Sequence, residues 1–382
     1  MPAKTVSLSE APLETTKYCF SDDYSEGAHP LLLEALVTSN TTQQTGYGND
    51  IYTSQARSHI LRLLQVPQNE NAAQSTGVFF VPSGTSANII SISASLRPHE
   101  SVIASTTGHI VMRETGAIEA TGHKILTVEP ELRTGKLTPK SIQKVVAENW
   151  HYPHMAKPRM VYISNATEMG TVYRRAELQA IKQVCEREGL LVLMDGARLG
   201  TAMASPNNDV EWKDVWELTD IFWIGGTKNG ALLGEAIVVK DAALARDFEF
   251  YIKRHGALLA KGRIMGTQFE ALFRDREGSD TTLFEELAEK ANRSARLLAK
   301  RIGEAGFTLE AECETNQVFA ALPRGVVEKL KESFEFYEWE SRLDGMVVVR
   351  LLTSWATDEA QIEKFGEVLR RWRAGEVSES MI

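Results

Sequence analysis

Trp223-Ile224-Gly225-Gly226-Thr227-Lys228-Asn229-Gly230 closes an apolar run, Ile221 to Ile224, with a glycine turn that carries one lysine. Thirty-three residues before that lysine, Asp195-Gly196-Ala197-Arg198 closes a second apolar run, Leu190 to Met194. Short, strongly apolar runs with polar residues only at their ends read as strands buried on both faces of a parallel sheet. Gly77 to Val81, Ser101 to Ala104, Ile125 to Val128, Met160 to Ile163 and Ala236 to Val239 read the same way. Stretches of helical length lie among them, at Leu31 to Val37, Gln55 to Gln65, Thr85 to Leu96, Pro139 to Asn149 and Ala176 to Glu188. This alternation predicts an α/β fold with a mostly parallel sheet flanked by helices.

The pattern changes after about residue 240. Two long charged helices are expected at Ala242 to His255 and Leu283 to Glu304. Strands follow near Gln317 to Ala321, Phe334 to Trp339 and Val347 to Leu352, then a helix from Asp358 to Arg371. The expected organisation is a loose arm at 1–16, a large α/β domain at 17–255, and interdomain helices with a small C-terminal α+β domain at 256–382. No internal repeat or low-complexity segment interrupts it.

Composition narrows the function. The 382 residues are 43% hydrophobic, enough for a large core, and 24% charged. A net charge of −9 argues against general nucleic-acid binding. No apolar stretch approaches the roughly 20 residues of a membrane span. Met1 to Thr16 lacks the apolar segment of a secretory signal, and Glu379 to Ile382 match no address signal, so a cytoplasmic location is expected. Cys19, Cys185 and Cys313 are widely spaced and read as reduced, partly buried side chains. No P-loop or dinucleotide fingerprint occurs. His151-Tyr152-Pro153-His154 reads as a surface loop rather than a metal site, and no metal is expected.

Lys228 alone would be an ordinary solvated lysine, and Asp195 alone an ordinary helix cap. As a pair at neighbouring strand ends they suit pyridoxal 5'-phosphate (PLP), which needs a lysine for its aldehyde and a carboxylate for its ring nitrogen. Pro82-Ser83-Gly84-Thr85-Ser86 joins a strand to a helix, where glycine and free N–H groups can receive a phosphate. The same residues also suit a plain capped helix start. His109, just after a strand, could stack on a flat ring or be a buried structural histidine. Arg350 ends the apolar run Met346 to Val349 and needs a partner, either a substrate carboxylate or a structural acid.

Seen together and in order, these segments resemble the PLP-dependent L-threonine aldolase family, with its aspartate-aminotransferase type of fold (PLP fold type I). The resemblance rests on Phe20 to Ser25, Gly46 to Asp50, Ser83 to Asn88, His109 to Gly116, Ala166 to Tyr173, Met194 to Arg198, Gly225 to Gly230 and Arg350 to Trp355. The form Gly225-Gly226-Thr227-Lys228-Asn229-Gly230 is similar to a bacterial low-specificity branch. The resemblance implies that Lys228 holds PLP covalently, Asp195 pairs with the ring nitrogen, Arg198 lies near the phenolic oxygen and His109 stacks on the ring. Gly84, Thr85 and Thr227 would contact the cofactor. Arg263 would reach a phosphate of the neighbouring subunit. Ser21 and Arg350 would hold the substrate carboxylate, and Tyr47 would approach from the partner subunit. A homodimer or homotetramer with shared sites is implied. Two positions depart from the family pattern: Glu168 stands where one branch has a histidine near the substrate hydroxyl, and Asn49 where an acid is usual.

The expected reaction on a small amino acid is retro-aldol cleavage of a β-hydroxy-α-amino acid to glycine and an aldehyde. His109, Glu168 or a water held by them would take the hydroxyl proton. The same residues would also serve amino-acid racemisation, with Tyr47 or His109 as the second proton route, or β-elimination. A scaffold without catalysis is the third reading, and retention of Lys228, Asp195 and Arg350 together argues against it.

Overall fold

The computed structural model describes residues 17–67 and 76–375; the expected arm at 1–16 lies outside them. The first described element is a two-residue strand, β1 (Tyr18–Cys19). Seven strands of one sheet follow: β2 (Gly77–Val81), β3 (Glu100–Ser105), β4 (Lys124–Val128), β5 (Lys157–Ser164), β6 (Leu191–Asp195), β7 (Ile221–Gly225) and β8 (Glu235–Val239). A second region holds β9 (Thr308–Leu309), β10 (Gln317–Pro323), β11 (Phe334–Glu335), β12 (Tyr337–Ser341) and β13 (Met346–Leu352).

The large sheet has the order β2-β8-β7-β6-β5-β3-β4. Every pairing is parallel except the two made by β8, which runs against its neighbours. The inner strands β3, β7 and β8 are buried along their whole length, and their centres, Val102 to Ala104, Ile221 to Ile224 and Ala236 to Val239, are apolar as burial on both faces requires. At the edge, β4 alternates instead, with Lys124 exposed and Leu126 buried. Helices cover both faces and build two hydrophobic clusters, one around Phe222, Phe269 and Phe284 and one around Tyr162, Trp223 and Phe248.

The second sheet has the order β12-β13-β10-β9 and is antiparallel. Its core joins Val318, Leu322, Val349 and Leu351 to Leu298 of helix Leu283–Glu304 and Phe365 of helix Glu359–Arg373. Helix Leu283–Glu304 has the span expected from its pattern. Thr282 and Glu285 bond each other's backbone N–H groups at 3.2 and 2.9 Å, a capping box that fixes its start.

The N-terminal segment belongs to this second core. β1 pairs in parallel with β11, and Phe20 packs between the rings of Phe334 and Phe365, each 5.8 Å away. Phe20 O then accepts from Leu352 N at the end of β13.

Two expected elements differ, and one helix was not expected. The helix expected over 242–255 is two helices, Ala242–Ala245 and Phe248–Arg254. The break turns Phe248 inward, where its ring stacks on Phe79 at 4.8 Å. The strand expected over 334–339 is divided between β11 and β12, because Phe334 and Phe336 both turn into the aromatic cluster as the chain crosses from one sheet to the other. Helix Arg263–Phe273 has no counterpart in the sequence reading. Eight of its eleven residues are buried, so it lacks the polar face that marks a surface helix.

Candidate active site

The sheet directions decide where the chemistry gathers. All strands but β8 point the same way, so their carboxyl ends share one edge, where ligands of open α/β sheets bind. Ser83-Gly84-Thr85 follows β2, His109 follows β3, Glu168 follows β5, Asp195 ends β6 and Lys228 follows β7. β8 runs back from this edge, which places its first residue, Glu235, among them. The resulting cavity of about 600 Å³ is closed on the other side by Arg350 of β13 and Tyr337 of β12.

Close backbone approach makes this edge possible. A Cβ on Gly196 would stand 1.7 Å from the Trp223 carbonyl oxygen, so only glycine lets the Asp195 turn lie against β7. A Cβ on Gly84 would stand 2.8 Å from the Trp223 ring. Gly84 therefore opens the twelve-residue helix Gly84–Ser95 directly against that ring, with Ser83 Oγ capping Ser86 N at 3.2 Å. That helix start presents its first N–H groups, a setting for a phosphate.

Asp195 is buried and held from three sides. Its Oδ2 accepts from the Tyr162 hydroxyl at 2.6 Å and from Asn88 Nδ2 at 3.0 Å; its Oδ1 accepts from Ala197 N at 3.0 Å. Burial, then the Asp195 charge, pushes the Tyr162 hydroxyl far up, so Tyr162 is a fixed donor. Asn88 is fixed in turn by Trp223 Nε1, which donates to its Oδ1 at 3.1 Å. Asn88 Nδ2 also donates to Glu114 Oε1 at 2.7 Å, and the same oxygen stands 2.8 Å from His109 Nδ1. A carboxylate can only accept, so Nδ1 is the donor in this contact. The second Glu114 oxygen is buried without a partner. Asp195 and His109 thus belong to one hydrogen-bonded network.

Lys228 sits among charges of both signs. Burial first, then Arg198, lowers its pKa; Asp23, Asp195 and Glu235 pull it back up. A lowered amine is a better nucleophile toward an aldehyde at neutral pH. The turn that carries it is clasped by Glu235, which accepts from Gly226 N at 2.9 Å and from Thr227 Oγ1 at 2.8 Å. Burial outweighs both bonds and raises the Glu235 carboxyl to about 7.

Arg198 donates to both oxygens of Asp23, Nε at 2.7 Å and Nη2 at 3.1 Å, and Asn316 Nδ2 donates to the same carboxylate at 2.9 Å. Burial alone would push Asp23 up, but Arg198, Lys228 and these hydrogen bonds together hold it below the usual carboxylate range. Arg350 lies over the Tyr337 and Trp339 rings at 5.2 and 5.3 Å, and its buried Nε has no partner among the described residues. Burial, then Arg198, works against its charge. An anion is what this guanidinium lacks. Glu168 Oε1 accepts from Ser164 Oγ at 2.7 Å and from His109 N at 3.2 Å, and burial dominates to raise its pKa.

Nine of the residues expected from sequence line this one cavity: Gly84, Thr85, His109, Glu168, Asp195, Arg198, Thr227, Lys228 and Arg350. Ser21 does not line it, although its neighbour Asp22 does. Tyr47 and Arg263 lie apart from it. Tyr47 N bonds Ala260 O, its ring faces Lys253 Nζ at 4.9 Å, and Arg263 donates to the carbonyls of Ser39 and Thr42. Sequence reasoning gave no role to Asp23, Asn88, Tyr162, Glu114, Glu235 or Asn316. Asp23, Asn88 and Glu114 stood inside motifs already singled out, and Tyr162 is a tyrosine in an otherwise apolar strand. Only the pairing of distant segments shows what they touch.

The residues present fit PLP: a lysine beside a buried carboxylate, a helix start laid open by Gly84, and an unpartnered arginine. Sheet, edge and residues together define an enzyme of the aspartate-aminotransferase-type, PLP-dependent class. A Thermus thermophilus aspartate aminotransferase superposes with a TM-score of 0.68 over 93% of this chain and 91% of its own; at 15% identity this likeness concerns the fold. The chain belongs to the β-eliminating lyase family, whose sequence profile matches residues 40–324, and within it to the low-specificity L-threonine aldolases. The low-specificity L-threonine aldolase of Pseudomonas aeruginosa is 35% identical, covering 93% of this chain and 97% of the relative. That of a Pseudomonas species is 34% identical over 92% and 96%. The structure of Leishmania major threonine aldolase shares 41% identity and a TM-score of 0.87, covering 93% and 99%.

Proposed function

We propose that this chain cleaves L-threonine and similar β-hydroxy-α-amino acids to glycine and an aldehyde. The observation that carries the reading is the convergence of Lys228, Asp195, Glu168 and Arg350 on one cavity in a chain of the threonine aldolase family. When bound, PLP supplies an electron sink for the bond that breaks. The rest falls to the protein.

Lys228 would hold the cofactor through its aldehyde. Asp195, fixed by Tyr162 and Asn88, would keep a proton on the ring nitrogen. His109 would lie against the ring, oriented by Glu114. Gly84, Thr85 and Thr227 would meet the phosphate end, while Arg198 would face the ring oxygen. Arg350 would take the substrate carboxylate, the role also expected of Ser21, which does not line the cavity. Glu168 would accept the β-hydroxyl proton: its raised pKa makes its carboxylate a stronger base, and Ser164 with His109 N keeps it aimed. Tyr47 and Arg263, on a shared surface outside this cavity, would serve the site of a second copy in a cytoplasmic homodimer or homotetramer.

The test is a product assay. With L-threonine the holoenzyme should yield acetaldehyde and glycine, and with L-alanine no D-alanine. D-alanine without acetaldehyde would make it a racemase. Lys228→Ala should remove both turnover and the cofactor absorbance band.

A further inference from the structure

Arg113 is the cation of this cavity that the proposed chemistry leaves unused. It follows the short helix His109–Met112, is exposed, and lines the cavity. Its Nη1 donates to the Tyr337 hydroxyl at 3.2 Å, and its Cζ lies 5.4 Å from the centre of that ring. Arg350 Cζ lies 5.2 Å from the same centre. One tyrosine therefore carries two guanidiniums at one mouth.

Among the described residues, neither has an acid of its own. Among the described residues, no carboxylate pairs with Arg113, whereas Arg198 is committed to Asp23. The acids lining the cavity are engaged elsewhere: Asp195 with Tyr162 and Asn88, Glu168 with Ser164, Glu235 with Thr227, and Asp22 with the Tyr24 hydroxyl. Two like charges on one ring repel unless an anion meets each. The substrate α-carboxylate satisfies one.

We propose that Arg113 is a specificity residue for a second carboxylate. Building on the retro-aldol reading, the cavity accepts β-hydroxy-α-amino acids that carry an acid on Cβ, with Arg350 on the α-carboxylate and Arg113 on the other. 3-Hydroxyaspartate is the smallest such molecule. Its Cα–Cβ bond breaks, the β-hydroxyl loses its proton, and Cβ becomes the aldehyde carbon of glyoxylate. The electron pair left on Cα takes a proton to give glycine, and no co-reactant is consumed.

The experiment compares kcat/KM for 3-hydroxyaspartate and for threonine in the wild-type holoenzyme, Arg113→Ala and Arg113→Lys. The ratio of the two should fall about tenfold to hundredfold in Arg113→Ala, the scale of one charge-assisted hydrogen bond, and recover in part in Arg113→Lys. An unchanged ratio overturns the proposal, as does threonine cleavage without cleavage of 3-hydroxyaspartate; the aldolase reading survives both. If neither substrate is cleaved, the aldolase reading fails by itself. Binding of L-aspartate against L-alanine, followed by cofactor absorbance, then decides. Selective weakening of aspartate in Arg113→Ala supports the proposal, and equal weakening overturns it.

Discussion

Asp23→Asn removes one charge from the ion pair that ties the N-terminal segment to the large sheet. Both partners are shielded, with side-chain exposures of 14% for Arg198 and 0% for Asp23. The carboxylate accepts from Arg198 Nε, Arg198 Nη2 and Asn316 Nδ2. The amide of the variant has one acceptor oxygen, so it turns an N–H toward a guanidinium or toward Asn316. Breaking a buried pair from one side costs about 3–5 kcal/mol, because the other charge stays buried. The assay is urea unfolding at pH 7 followed by tryptophan fluorescence, with the midpoint shift read at constant slope. A loss below about 1 kcal/mol, the worth of an exposed pair, would refute the reasoning. The pH dependence has a definite sign. Asp23 is held below the ordinary carboxylate value, so the pair stabilises fully above about pH 4 and its contribution fades as pH falls through the depressed value. The Asp23→Leu, Arg198→Met double variant should regain most of the loss, since an apolar pair leaves no stranded charge.

Glu235 predicts the opposite slope. Its folded value, raised from 4.5 to about 7, means that its stabilising contribution is whole below the unfolded value and disappears as pH rises through 7. Wild type should therefore lose up to about 3 kcal/mol relative to Glu235→Gln between pH 4.5 and 7 in urea titrations; parallel curves would show that the carboxyl does not titrate there. Glu114→Gln should lower kcat for threonine about tenfold to hundredfold, the scale of losing one charged hydrogen-bond partner. The loss should fall on kcat rather than KM, since Glu114 orients His109 and does not itself line the cavity; an unchanged kcat would reduce Glu114 to packing.

Much of this was legible along the chain. β2 has the span its apolar run predicts, and Lys228 and Asp195 end neighbouring strands as their positions suggested. These features are local: an apolar run states its own burial, and a glycine turn its own bend. The division of 334–339 between two sheets was not legible, because periodicity says which side chains are buried but not against which strand. Glu114 was illegible for the same reason. Its role depends on Asn88 and His109 meeting across two strand ends. The direction of β8 also escaped the sequence, and with it the placement of Glu235 at the cavity edge rather than on the far side of the sheet.

The N-terminal segment has a consequence for how the protein is made. Asn316 and its partner Asp23 are 293 positions apart, and β1 waits for β11 before it can pair. During synthesis the large sheet can form while residues beyond 300 are still inside the ribosome, so the Lys228 turn exists before the segment that carries Asp23 has anything to dock on. On that order the nascent chain would hold an open, uncommitted cavity until late in translation, and docking of the N-terminal segment would then bring Asp23, Asn316 and Arg350 to the same edge.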